Sequence, residues 1–250
     1  MASYNTFAQV YDQFMSNVPY DEWVDYILEI ISKYNIEPKL ILDLGCGTGN
    51  ITQILASKGY DMIGVDNSYE MLSIAKDKAR DAKLDILYLL QDMREFELYG
   101  TVDCIVSLCD SMNYILEESD LLQVFKLVNN YLDPNGLFIF DLNTEYKYNN
   151  ILGDNTFAET YDNSSYIWEN YYYEEEGINE YELTLFIKDK EDTYKRYCET
   201  HYQKKYDLDK IKELLEEAGL EYIDVFDAFT FNKPKNISDR VYIIAREKGK

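Results

Sequence analysis

Three glycines, Gly45, Gly47 and Gly49, alternate with other residues in the stretch LILDLGCGTGN (40–50), between an apolar run and a helical period. Glycines so placed let backbone approach a ligand closely and adopt left-handed conformations. A strand, a glycine turn and a helix in that order put the ligand at the carboxyl edge of a parallel sheet. Asp66 closes the next apolar run, about 20 residues after the first glycine, where a carboxylate accepts from both hydroxyls of a ribose. The spacing is G-x-G-x-G rather than the G-x-G-x-x-G of dinucleotide loops, and Asp43 stands just ahead of Gly45. A carboxylate there opposes a pyrophosphate, by on the order of 1 kcal/mol even in a high-dielectric setting, and suits a cationic group such as an α-ammonium.

Other reactive side chains are sparse. Cys46, Cys104, Cys109 and Cys198 form no C-x-x-C pair, and His201 is the single histidine, so no metal site is expected. Cys104 and Cys109 fall in or beside an apolar run and read as small buried residues. For a proton-accepting group the candidates are Asp110, after the fourth apolar run, and His201.

Hydrophobic periodicity supplies the elements that must hold these residues. Helical spacing marks 21–34, 50–59, 69–81, 117–132 and 208–219, with Asn67 or Ser68 capping the third of these. Dense Ile, Leu and Val mark strands at 39–45, 61–66, 84–92, 102–110 and 137–143, and 133–136 is turn chemistry. Strands buried on both faces and alternating with helices pair in parallel. Residues 146–204 show no helical period; they are rich in tyrosine and acid, and Tyr181, Leu183, Leu185 and Ile187 alternate as in an antiparallel strand with one face covered. The last two strands, 220–229 and 240–246, are joined by a loop too short for a crossover helix and should pair antiparallel. The expected fold is α/β: a doubly wound, seven-stranded, mostly parallel sheet whose last strand is antiparallel, formed by 1–145 and 205–250, with a small antiparallel sheet inserted at 146–204.

The ordered set of motifs resembles the class I S-adenosylmethionine (AdoMet)-dependent methyltransferases. LDLGCGTG (42–49) is similar to their first motif, LLQDM (89–93) follows the third strand, VSLCDSMNYI (106–115) follows the fourth, and the antiparallel last pair continues the match. YNTFAQVYDQFM (4–15) and the inserted sheet resemble a bacterial small-molecule methyltransferase-like subfamily. The resemblance implies AdoMet as cofactor. It implies that Asp43, Gly45, Cys46 and Gly47 hold the methionine part, and that Asp66, Asn67 and Met71 line the adenosine. It implies that Gln91, Asp92 and Met93 border the adenine, Asp92 accepting from the amino group. It implies that Leu108, Cys109, Asp110 and Asn113 face the sulfonium and the acceptor, and that Tyr4, Tyr11 and Tyr20 close over the cofactor.

Composition narrows the acceptor. With 24 Lys+Arg against 47 Asp+Glu, the formal charge is −23, which repels polyanions. A small-molecule acceptor is therefore expected ahead of RNA or protein, with a non-catalytic AdoMet-binding module as the alternative from another class. The inserted sheet reads as a lid over the acceptor or as the face of a homodimer. No apolar run approaches a membrane span, and the N-terminus lacks a basic region followed by an apolar stretch, so a cytoplasmic protein is expected.

Overall fold

The computed structural model describes the backbone of residues 4–191 and 193–250, and the side chains of these apart from residues 4–7 and 9. In chain order the elements are α1 (Tyr4–Phe14), α2 (Tyr20–Lys33), β1 (Leu40–Leu44), α3 (Asn50–Ser57), β2 (Asp61–Asp66), α4 (Tyr69–Ala82), β3 (Ile86–Leu90), β4 (Val102–Ser107), α5 (Glu118–Tyr131) and β5 (Leu132–Asn143). Then follow β6 (Thr156–Thr160), β7 (Ser164–Tyr173), β8 (Ile178–Lys190), β9 (Thr193–Lys204), α6 (Leu208–Glu217), β10 (Leu220–Asp227) and β11 (Arg240–Glu247).

Seven strands form one sheet in the order β10-β11-β5-β4-β1-β2-β3. β1 to β5 run parallel, and β11 is antiparallel to both neighbours, β5 and β10. The doubly wound sheet with its reversed last strand thus matches the sequence expectation. The period of two sorts each strand's side chains onto two buried faces. Leu42, Leu44, Ile105, Phe138 and Phe140 join a cluster with α5 and α6, while Ile41, Cys104, Val106, Leu137 and Ile139 join one with α2 and α3. Both faces are covered, so these strands read as unbroken apolar runs. α4 covers β3 through Leu72, Ala75 and Ala79 against Tyr88.

Three local differences concern the site. β4 ends at Ser107, so Leu108, Cys109 and Asp110 leave the sheet; Cys109 and Asp110 both take left-handed backbone, φ 60° and 55°. The turn at 133–136 lies inside β5: Asn135 has φ 65°, and pairing with β4 steps from Val102–Leu132 to Cys104–Leu137. Residues 146–204 are not free of helix, since Lys147–Leu152 form a π-helical turn. Six residues ended by Gly153 at φ 51° are too few to show a period.

The remaining strands form a second, antiparallel sheet in the order β6-β7-β8-β9, with turns at 174–177 and after Lys190. α1 spans the gap between the sheets. Asp12 accepts from Thr48 (2.6 Å), Asn50 (3.0 Å) and Lys78 (2.8 Å), while Gln13 accepts from Ser164 (3.0 Å) and Phe14 stacks edge-on to Tyr166. No helix among the described residues is long and apolar enough to cross a membrane.

Candidate active site

The glycine loop is built by backbone conformation and one carboxylate. Gly45, Gly47 and Gly49 all have positive φ (84°, 53° and 75°), and Gly49 is the residue from which α3 starts. The amides of Gly45 and Cys46 donate to the Val65 carbonyl at 2.8 and 3.0 Å. One Asp66 oxygen accepts from the Gly47 amide and the other from the Ser68 amide, each at 2.8 Å. Asp66 therefore fixes the loop to the start of α4, and each of its oxygens keeps further capacity to accept. Burial pushes its carboxyl above the usual carboxylate range. Ser68, rather than Asn67, caps α4: its hydroxyl accepts from the Met71 amide. The glycines differ in use. A Cβ at Gly47 would meet nothing within 4 Å and would project into open space, whereas one at Gly49 would strike the Tyr88 hydroxyl and lie 3.1 Å from Ala75 Cβ.

Asp43 is 2% exposed and takes one hydrogen bond from Thr52 (2.6 Å). Burial, the largest cause, and the neighbouring Asp66 raise its carboxyl to about 7, with Thr52 pulling the other way. The Cys46 thiol beside it is pushed well up by burial.

On the adenine side predicted by the resemblance, Asp92 is less free than expected. Arg94 grips it through Nε (2.9 Å) and Nη2 (2.6 Å), and the guanidinium holds the carboxyl below its usual range. Gln91 exchanges hydrogen bonds with the Glu97 backbone, and Met93 lies against the glycine loop.

The loop after β4 carries a network absent from the expectations. Arg240, at the head of β11, donates to Asp110 Oδ1 (2.7 Å) and to Asp141, and its guanidinium lies 5.0 Å from the centroid of Trp23. Gln203 of β9 donates to Asp110 Oδ2 at 2.6 Å. Its carbonyl accepts from Tyr148 (2.9 Å) and Tyr181 (2.5 Å). Both Asp110 oxygens are thus committed, one to a cation, an arrangement that suits positioning better than proton abstraction. Asn113 does not face the cavity. It is wholly buried, donates to the Lys204 carbonyl (2.8 Å) and accepts from the Asn143 amide (3.0 Å), bracing the second sheet against the first. Two acids or cations in apolar runs, Asp141 in LFIFDLN and Arg240 in RVYIIAR, were the sequence signals for this network.

The second sheet turns one face inward. Tyr166 and Trp168 of β7, Tyr181 and Leu183 of β8, and His201 of β9 border the cavity, while Tyr171 and Tyr202 lie on the outer face. His201 Nε2 is 3.2 Å from Glu199 Oε2, and its ring meets Tyr114 edge-on at 6.0 Å. Tyr11 and Tyr20 border the same cavity from the N-terminal side, with Tyr11's hydroxyl pushed well up by burial. Burial likewise raises the Cys109 thiol to about 12, so it is an inert wall.

All of these surfaces enclose one cavity of about 1140 Å³. It is bordered by each candidate cofactor residue the structure describes, Asp43, Gly45, Cys46, Gly47, Asp66, Asn67, Met71, Gln91, Asp92, Met93, Leu108, Cys109, Tyr11 and Tyr20, and by Asp110 and His201. The side chain of Tyr4 lies outside the described residues. The donor set fits AdoMet. The space at Gly47 is open to a ligand, Asp66 offers acceptors for a ribose, Asp43 is a buried acid with no cation on it among the described residues, and Met93 offers a polarizable face.

The chain is similar to known methyltransferases. Residues 41–136 match the family model described as a methyltransferase domain. Two proteins named "Putative methyltransferase" are similar over nearly the whole chain. One, from Geobacillus sp. (strain WCH70), is 37% identical over 98% of this chain and 100% of its own length. The other, YqeM of Bacillus subtilis (strain 168), is 36% identical over 98% of this chain and 97% of its own. The crystal structure of an S-adenosylmethionine-dependent methyltransferase from Clostridium acetobutylicum ATCC 824 superposes with a TM-score of 0.88 at 34% identity, covering 98% of this chain and 99% of that one.

Proposed function

The chain belongs to the class I S-adenosylmethionine-dependent methyltransferases, and on that premise we propose that it methylates a small molecule held against the inner face of the second sheet. One observation carries the reading. A single cavity is bordered both by the glycine loop and Asp66 and by Trp168, Tyr181, Leu183 and His201 of the second sheet. Its roughly 1140 Å³ exceeds the ~300–1,000 Å³ of a site for one small ligand, which leaves room for a cofactor and a second molecule together.

When bound, AdoMet supplies a methyl group already activated on a sulfonium, so the protein's task is alignment, exclusion of water and the handling of a proton. The Gly45–Gly49 loop, Asp43 and Asp66 hold the cofactor side. α1, pinned by Asp12 and Phe14 to both sheets, closes the N-terminal side against water. Arg240 and Gln203 hold the Asp110 carboxylate at the seam of the two walls, where its remaining lone pairs orient the acceptor. The aromatic inner face receives the acceptor's apolar body. The surface charge of −23 disfavours a nucleic-acid acceptor.

Radiolabelled AdoMet incubated with the protein and a metabolite extract tests this. Label should enter the small-molecule fraction in a protein-dependent way; label confined to RNA or protein fractions contradicts the proposal.

A further inference from the structure

We propose that Glu199 and His201 form a proton-accepting pair for an acceptor that enters as an ammonium ion, with Glu199 the positioning residue; this rests on the reading that the second sheet's inner face receives the acceptor. Alternation on β9 turns Glu199, His201 and Gln203 inward and leaves Thr200 and Tyr202 exposed. The two side chains are 3% and 11% exposed, with Glu199 Oε2 3.2 Å from His201 Nε2. The other carboxylate oxygen, Oε1, is buried with no hydrogen-bond partner among the described residues. A carboxylate so poorly satisfied is costly to bury, and a positive charge on the adjacent ring compensates it.

Among the described residues, the groups facing the ring include Glu199 on its own strand, Tyr181 in register on β8, and Tyr114 from the 3₁₀ turn after Asp110. Asp110 joins the same wall through Gln203.

The cavity selects the acceptor's charge. Among the described residues seven carboxylates border it against three cations: Arg94 pairs with Asp92 and Asp120, Arg240 with Asp110 and Asp141, and Lys147 bonds the neutral amide of Asn143. An anionic acceptor would find, among the described lining residues, Lys147 alone without a carboxylate partner. An ammonium would find negative potential and the π faces of Tyr166, Trp168 and Tyr181. An ammonium has no lone pair, so it must lose a proton before it can form a bond to carbon. In the proposed step one N–H bond of the ammonium breaks, and its electron pair stays on the acceptor nitrogen. The proton bonds to His201 Nδ1, and the imidazolium so formed is held by Glu199 through Nε2–H.

His201 is the only histidine, so its resonances need no assignment. Long-range ¹H–¹⁵N spectra of histidine-labelled protein, without ligand, read the pair directly. The neutral ring should carry its proton on Nε2, and Glu199→Leu should move the neutral ring toward the Nδ1–H tautomer, with Glu199→Asp keeping part of the Nε2–H population. An Nδ1-protonated neutral ring in the wild type, or an unmoved tautomer ratio in a folded Glu199→Leu variant, overturns the pair; should that variant not fold, the wild-type tautomer decides. The charge of the acceptor is read separately. With S-adenosylhomocysteine present, cyclohexylamine should shift the His201 resonances where cyclohexanol and cyclohexanecarboxylate do not. A response to the carboxylate, or to none of the three, overturns the ammonium assignment while leaving the tautomer result standing. Failure of the cavity reading is thereby told apart from failure of the pair.

Discussion

The guanidinium of Arg240 lies 2.7 Å from the carboxylate of Asp110, joining the head of the last strand to the loop that ends the fourth. The same guanidinium bonds Asp141, which is wholly buried. With Gln203 on the other Asp110 oxygen, three distant chain segments meet at one side chain. The consequence for stability is large, because removing the cation leaves two carboxylates facing each other out of water.

Arg240→Met should therefore destabilise the protein by about 3–5 kcal/mol in urea unfolding at neutral pH. Adding Asp141→Leu should recover a substantial part, since the uncompensated buried charge is then gone. A loss under about 1 kcal/mol for the single variant would show that the network carries little.

Asp66→Ala should uncouple the glycine loop from cofactor binding. AdoMet at a hundred times its Kd should stabilise the wild type by about 2.7 kcal/mol, read as a rise in melting temperature. The variant should bind at least about tenfold more weakly, as one lost charge-assisted contact implies, and NAD should raise neither melting temperature. Equal AdoMet shifts in both proteins would remove Asp66 from the cofactor site.

Gly47 and Gly49 should separate under the same substitution. Both have positive φ, so alanine costs roughly 1–2 kcal/mol of strain at either. Gly49→Ala adds a clash with Tyr88 and Ala75 and should lose the more stability. Gly47→Ala meets no neighbour, so it should keep more stability yet lose AdoMet affinity, because the new methyl occupies the ligand's space. Calorimetry beside thermal melts reads both quantities, and the reverse ranking would refute the division of roles.

Asp43 should give stability a distinctive pH dependence. Its native carboxyl sits at about 7, above an unfolded value near 3.9, so the native state holds the extra proton between those limits. Stability attributable to this group is then fully present at low pH and falls as pH rises through that window, by about 4 kcal/mol in total, levelling off above it. Asp43→Asn should remove that fall, so the variant's stability relative to wild type should grow by about 2–3 kcal/mol from pH 5 to pH 8. A constant difference would place Asp43 outside this window. Binding of a cationic ligand group favours the ionised form, so AdoMet affinity in the wild type should rise over the same range.

Much of this site was legible in the sequence because its information is local. Gly45, Gly47, Asp43 and Asp66 fall within two strand ends, where periodicity fixes the strand, the turn and the face together. The antiparallel last pair followed from one loop length. What escaped is non-local. Arg240 reaches Asp110 across 130 residues and Gln203 reaches it across 93, and neither spacing carries a period. The neighbourhood of Asn113 in the chain points to the cavity, yet the turn after Asp110 carries it into the seam between the sheets. Asp92 was read without Arg94, whose fork closes on it from only two positions away. Glu199 was hidden in an acidic, tyrosine-rich run until strand alternation separated inward from outward residues.

The central claim is that one wall of the cavity holds the cofactor and the other holds the acceptor. Trp168→Ala removes an aromatic from the second wall without touching the glycine loop. Its AdoMet affinity by calorimetry and its transfer of labelled methyl to the small-molecule fraction should be measured side by side. The account predicts AdoMet affinity within about twofold of wild type and transfer reduced at least about tenfold, the loss of one buried aromatic contact. Undiminished transfer, or AdoMet binding lost together with transfer, would contradict it.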